Sequence, residues 1–145
     1  MTGLVARPDT LPEMSAAENK RLLQQVFSEM EKGNSRPWVE IMADDVRWTV
    51  IGTTRWSKTY EGKQSVLTDL LGVLRSRLAD RMTMSAHRFI AEDDHVAVEA
   101  RGRATTKDGR PYNNTYCLIC RMAGGKVKEL TEYVDTELVT AALDR

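Results

Sequence analysis

The chain has 145 residues, a length that one domain fills and that can bury a sizeable core without disulfides or metal. Hydrophobic residues make up 41% and charged residues 29%, and 21 Lys and Arg balance 21 Asp and Glu to a formal net charge of zero. That balance excludes a general affinity for nucleic acid or anionic membrane, which needs a basic excess, and leaves room for a locally charged site.

Residues 1–14 carry two prolines and no periodicity, and are expected to form a flexible N-terminal arm ahead of a single domain over 15–145. Met1 to Pro12 lack the apolar stretch of a secretory leader, and nothing in the chain approaches a transmembrane run, so a cytoplasmic protein is expected. Ser15 with Glu18 three residues on makes a capping box. Leu22, Leu23, Val26, Phe27 and Met30 follow at helical spacing, and Gly33 closes this first helix. Ser35 and Pro37 restart a short helix through Trp38, Ile41 and Met42 to Ala43, which Asp44 and Asp45 end. Val46 to Ile51 alternates as a strand. Gly52 to Gly62 reads as a loop with a short strand at Thr59 and Tyr60. Lys63 to Leu78 repeats Val66, Leu67, Leu70, Leu71 and Leu74 at helical spacing.

Four strands follow: Met82 to Ala91, His95 to Thr106, Tyr112 to Met122 and Lys126 to Asp135. The segments 92–94, 107–109 and 123–125 between them carry hairpin signals, so the meander is antiparallel. Glu137 to Leu143 is a short closing helix or tail. Helices followed by a run of strands imply an α+β fold, in which a long meander buries its apolar side by curling over three helices as a cone with a mouth. Cys117 and Cys120 lie in an apolar strand, where they point to opposite faces and act as small hydrophobes. With no second cysteine pair, no four-ligand zinc site is expected.

Several motifs carry a resemblance that covers Ala17 to Leu143. They are Phe27 to Asn34, Met42 to Trp48, Tyr60 to Lys63 at the head of the long helix, Asp108 to Asn113, and Gly124 to Asp135. The chain resembles the nuclear transport factor 2-like superfamily and, within it, the SnoaL-like group of polyketide cyclases, ketosteroid isomerase and limonene epoxide hydrolase. The resemblance implies a cone-shaped fold with three N-terminal helices on a curved, mostly antiparallel sheet. It further implies a concave face lining a pocket for a small apolar molecule, with the other face packed on a second subunit.

On that placement Glu99, Arg101 and Arg103 share one strand face, and Glu132 shares another with Leu130 and Val134. Inward Glu99, Arg101 and Glu132 are expensive to bury unpaired. Paired across strands they would hold a water or polarise a ligand carbonyl, with a carboxylate as general base. A solvated network of ion pairs is the alternative. His87 falls inward by the same parity, either as a proton shuttle or as a half-buried side chain with satisfied bonds. Trp48, Val50, Tyr116, Leu118, Asn114, Leu130 and Val134 form the expected ligand-binding set. Trp38 and Trp56 either approach the mouth or anchor core and loop. The expected outward set, Val96, Val98 and Ala100 with Cys117 and Ile119, would be costly in water and implies a homodimer.

The individual chemistries of the family match this sequence poorly. The ketosteroid isomerase pattern asks for an acid at about Val50, a tyrosine near Val26 and an acidic donor near Leu118. The limonene epoxide hydrolase pattern asks for Tyr and Asn at Trp48 and Val50, and for Arg-x-Asp where Glu99 and Arg101 stand; charge type is retained only at Glu132. A cyclase of the SnoaL kind needs one carboxylate over an apolar substrate, which Glu132 could supply. Three readings follow: an acid/base enzyme without cofactor or metal, a non-catalytic ligand-binding module, and a scaffold whose pocket is filled by its own side chains.

Overall fold

A computed structural model describes residues 13–144. The expected arm over residues 1–14 therefore lies, apart from Glu13 and Met14, outside the described residues. Helix α1 (Ala16–Glu31) starts where the capping residues put it: Ser15 Oγ accepts from Glu18 N at 3.1 Å, and Ser15 N donates to Glu18 Oε1 at 3.0 Å. A cap of this kind stabilises by about 1 kcal/mol. The helix stops at Gly33, whose φ is 87°. There Asn34 N bonds to Glu29 O and Gly33 N to Met30 O, the crossed pair of a Schellman ending.

Helix α2 (Arg36–Ile41) is followed at once by β1 (Met42–Val50), so the strand begins four residues before the expected Val46. Asp44 and Asp45 lie within it rather than ending the helix. An irregular register against the neighbouring strand between Met42 and Arg47 accommodates both, and they are exposed while Met42, Val46, Trp48 and Val50 are buried. β2 (Thr59–Glu61) pairs antiparallel with β1, setting Tyr60 opposite Trp48.

The long helix is not a plain α-helix. α3 (Lys63–Ser65) passes into a π-helical turn, Val66–Leu71, and then into α4 (Gly72–Ser76). Gly72 N donates to Leu67 O, five residues back, and a Cβ at position 72 would sit 2.8 Å from that oxygen. The wide turn therefore depends on glycine.

Strands β3 (Thr83–Glu92), β4 (His95–Arg103), β5 (Thr115–Ala123) and β6 (Lys126–Val134) complete a sheet of order β2-β1-β6-β5-β4-β3. Every neighbouring pair is antiparallel except β1 and β6. The β5–β6 turn uses two positive-φ glycines, Gly124 and Gly125, as a tight hairpin requires. The β4–β5 connection is longer than a hairpin: residues 104–114 fold into their own loop, tied by a bridge between Thr105 and Pro111. Helix α5 (Thr136–Leu143) closes the fold, with its last carbonyls taken by Arg77 and Arg110. Among the described residues no helix is long and apolar enough to cross a membrane.

Strand parity follows expectation on β5 and β6 and departs from it on β4. Tyr116, Leu118 and Cys120 are buried inward, and Cys117 falls on the opposite face from Cys120. On β4, however, Val96, Val98 and Ala100 are the buried inner set, each 0% exposed. Glu99, Arg101 and Arg103 occupy the outer face. The pairing explains this: Val98 lies directly opposite Leu118, and directly opposed residues share a face. Turning the valines outward would have exposed them and buried three charges, which is unfavourable on both counts. His87 is also outward and exposed. The pairing steps from Ala86–Ala100 to Arg88–Glu99, so His87 is the extra residue of a β-bulge that shifts the parity of β3.

Candidate functional site

The inner face of the sheet, α2, the α3–α4 run and α5 enclose a cavity of about 310 Å³. Its walls are mainly aromatic and aliphatic. Trp38 and Trp48 meet edge to face at 5.8 Å between ring centroids, and Trp56 is tethered through Nε1 to Asp144 Oδ1 at 3.0 Å. The π-turn and α4 contribute Leu67, Leu70, Leu71 and Leu74. Arg75, Asp80 and Arg81 line its exposed end.

Glu132 is the carboxyl of the inner wall. β6 carries it inward because its neighbours in the pairing, Leu118 and Val50, are inner-face residues. Among the described residues its one hydrogen bond comes from Trp48 Nε1 to Oε1 at 3.2 Å. Burial among apolar walls pushes its carboxyl from 4.5 up to about 7, and the Trp48 bond opposes that rise only in part. At neutral pH the group stands near half-protonation, where it can both take and give a proton.

Two phenols share the wall. Tyr116 Oη lies 3.4 Å from Tyr112 Oη, and Asn114 Nδ2 lies 3.3 Å from Tyr112 Oη. Burial raises both phenol pKa values, and the charge of Glu132 raises them further. The phenols are therefore protonated donors throughout the neutral range.

Of the residues expected to carry chemistry, the structure brings only Glu132 into the cavity. Glu99 pairs on the outer face with Arg88 at 3.2 Å, and with His87 Nε2 at 3.9 Å. Arg101 is exposed on the same face. The expected inward triad of Glu99, Arg101 and Glu132 is thus two half-sites on opposite sides of one sheet. Of the expected ligand-binding residues, Trp48, Val50, Tyr116 and Leu118 line the cavity. Leu130 is packed into the core beside Trp48, and Val134 is half-buried at the end of β6; neither lines the cavity. Asn114 stands behind the wall, its amide spent on Thr115, Asp135 and Tyr112. Trp38 and Trp56 line the cavity while remaining buried. Tyr112 was missed because it precedes β5 in a loop. Its spacing of four from Tyr116, with Asn114 between, was the available signal. Among the described residues no three His, Cys, Asp or Glu side chains gather as a metal site requires.

Comparison with known proteins agrees with this architecture. The model of the SnoaL-like domain matches residues 23–130. A nuclear transport factor 2-like protein of unknown function from Burkholderia pseudomallei superposes with a TM-score of 0.74 at 19% identity, covering 91% of this chain and 100% of its own. A candidate SnoaL-like polyketide cyclase from Jannaschia sp. CCS1 gives 0.73 at 18% identity, covering 91% and 95%. A candidate isomerase from Bacillus subtilis gives 0.69 at 18% identity, covering 90% and 96%. These identities establish a shared fold and no shared activity. A comparison with curated proteins finds no match. With its α+β architecture, its cavity on the inner sheet face and a family match over more than half of its length, the chain belongs to the SnoaL-like domain family of the nuclear transport factor 2-like superfamily.

Proposed function

We propose that the chain is a small-molecule pocket protein in which Glu132 performs cofactor-free acid/base chemistry on a small apolar substrate: a cyclisation, isomerisation, dehydration or hydrolysis. The observation that carries this reading is a carboxyl raised to about 7 inside an apolar cavity. A general base works best when its pKa lies near the operating pH, and burial supplies that here. Trp48 fixes the carboxylate through one oxygen, leaving the other free for a substrate proton. The neighbours described as a candidate cyclase and a candidate isomerase share this fold and lend the reading plausibility only at that level.

Proton abstraction can be tested without the natural substrate. The α-hydrogens of 2-tetralone exchange with D2O, and the wild-type protein is expected to accelerate that exchange with a pH dependence centred near 7. Glu132→Gln is expected to abolish the acceleration. Equal acceleration by the variant would overturn the role of Glu132. The apolar residues Val26, Val50 and Leu118, standing where ketosteroid isomerase would carry its tyrosine and acids, favour a second reading, a non-catalytic binding module. That reading predicts no acceleration by either protein and an unconverted ligand retained on purification, read by native mass spectrometry.

We also infer that the outer sheet face pairs with a second copy of the chain. Ile90 and Tyr133 are 57% and 49% exposed, and Ala97, Ile119 and Thr131 lie on the same face. Tyr133→Glu is expected to convert a dimer to a monomer in light scattering; a wild-type monomer would overturn the inference.

A further inference from the structure

The charges that line the cavity are unevenly placed. Glu132 lies on the buried inner wall, whereas Arg75, Asp80 and Arg81 stand at the exposed end. Between them the lining is mainly aromatic and aliphatic. Arg75 comes from the last turn of α4 and Arg81 from the segment that leads into β3, so two separate stretches of chain bring guanidinium groups to one mouth. Among the described residues neither forms an ion pair, although Asp80 lines the same mouth. Arg81 makes one long bond, from Nη1 to Gly33 O at 3.4 Å. Arg101 is likewise unpaired among the described residues, but it stands on an open sheet face; Arg75 and Arg81 border an apolar cavity. A guanidinium carries its N–H donors in a planar fork that matches a carboxylate, and the protein engages few of those donors at this mouth.

We propose that Arg75 and Arg81 form a head-group subsite at the cavity mouth, and that the ligand is an apolar carboxylic acid bound with its hydrocarbon body inside and its carboxylate outside. Placed the other way round, the ligand carboxylate would be desolvated among apolar walls and set beside Glu132, which is unfavourable on both counts. At the mouth it keeps part of its water and gains the attraction of the guanidinium groups. The three charged side chains there sum to a single positive charge, which suits a monoanion better than a dianionic phosphate. This polarity orients the ligand, turning its hydrocarbon end toward Glu132. The substrate class is thereby narrowed to an acid whose reacting carbon lies away from its carboxylate.

This assignment rests on the cavity being a ligand site, so the test separates the two. The probes are 2-naphthylacetic acid and 2-naphthylacetamide, which share a shape and differ in charge. Calorimetry at about pH 6 keeps the acid ionised and Glu132 mostly protonated. The wild-type protein is expected to bind the acid about tenfold more tightly than the amide, with the margin shrinking as salt is added. Arg75→Gln and Arg81→Gln together should remove the margin and leave the affinity for the amide unchanged, the sign of an intact cavity. Asp80→Asn should widen the margin by about two- to fivefold. 2-Naphthylmethyl phosphate should bind no more tightly than the acid. Failure of acid and amide alike to bind the wild-type protein would overturn the ligand site itself. Equal binding of the two, a margin that survives the double substitution, loss of the amide along with the acid in that variant, or tighter binding of the phosphate would overturn the carboxylate subsite and leave the cavity standing as a ligand site.

Discussion

The two faces of the central sheet treat their charges in opposite ways. On the outer face Glu99 meets Arg88, Glu129 meets Arg121 at 3.2 Å, and Asp45 meets Lys128 at 2.6 Å, all with water at hand. Such pairs stabilise little, because solvent screens them and long side chains lose freedom in forming them. On the inner face one carboxylate, Glu132, has no cation beside it among the described residues and takes an indole N–H from Trp48. A charge without a partner in an apolar cavity does not stay fully charged; its pKa moves instead. The outer acids are therefore solvated and inexpensive, and the inner acid is costly to ionise, which is the condition under which it can do chemistry near neutral pH.

The largest expected effect comes from moving a charge across that boundary. Val98→Glu would bury a second carboxyl against Leu118 and should destabilise the fold by about 4 kcal/mol or more in denaturant unfolding at pH 8. A loss below 1 kcal/mol would mean that the inner face is wetter than its burial implies. Next is the cost of Glu132 itself. Its folded-state pKa is raised, so between pH 4.5 and 7 the native state holds more proton than the unfolded chain. Stability accordingly falls as pH rises through that window, and the loss persists above it. The difference amounts to about 3 kcal/mol. Glu132→Gln, uncharged at every pH, should lack this decline and be the more stable protein at pH 8; parallel stability curves for the two proteins would refute the assignment.

Smaller effects follow. Gly72→Ala forces a Cβ to within 2.8 Å of Leu67 O and should lower stability by about 1–3 kcal/mol, whereas alanine in an ordinary helix would raise it. A stabilised variant would show that the π-turn is not the preferred form of this segment. The smallest change belongs to the outer face: Glu99→Gln should alter stability by less than about 0.5 kcal/mol, with no dependence on cavity ligands. A large effect would restore Glu99 to a functional role.

What the sequence disclosed was local. The Ser15 capping box, the Gly124–Gly125 turn and the alternation of β5 and β6 each carry their own signal within a few residues, and each is found where it was read. The inward position of Glu132 follows from the same alternation. β4 was legible in pattern and misread in sign: Val96, Val98 and Ala100 alternate cleanly with Glu99, Arg101 and Arg103, but alternation alone does not say which set faces in. The register with Leu118 decides it, and register is a long-range property. The bulge at His87 and the π-turn before Gly72 each add one residue to a regular pattern, and a one-residue shift reverses every later side chain on a strand. The Tyr112 network was hidden for another reason, since it joins a loop, a strand and the N-cap of α5 through a single asparagine.

Burial of Glu132 on the inner face leaves an acid poised near neutrality. Labelling glutamate side chains with carbon-13 and following the Glu132 carboxyl by NMR from pH 4 to 9, with Glu132→Gln to assign the signal, tests it directly. A midpoint near 7 is expected, moving higher in Trp48→Phe, which removes the one hydrogen bond that favours the charged form. A midpoint near the ordinary 4.5 would contradict it and return Glu132 to the class of solvated surface acids.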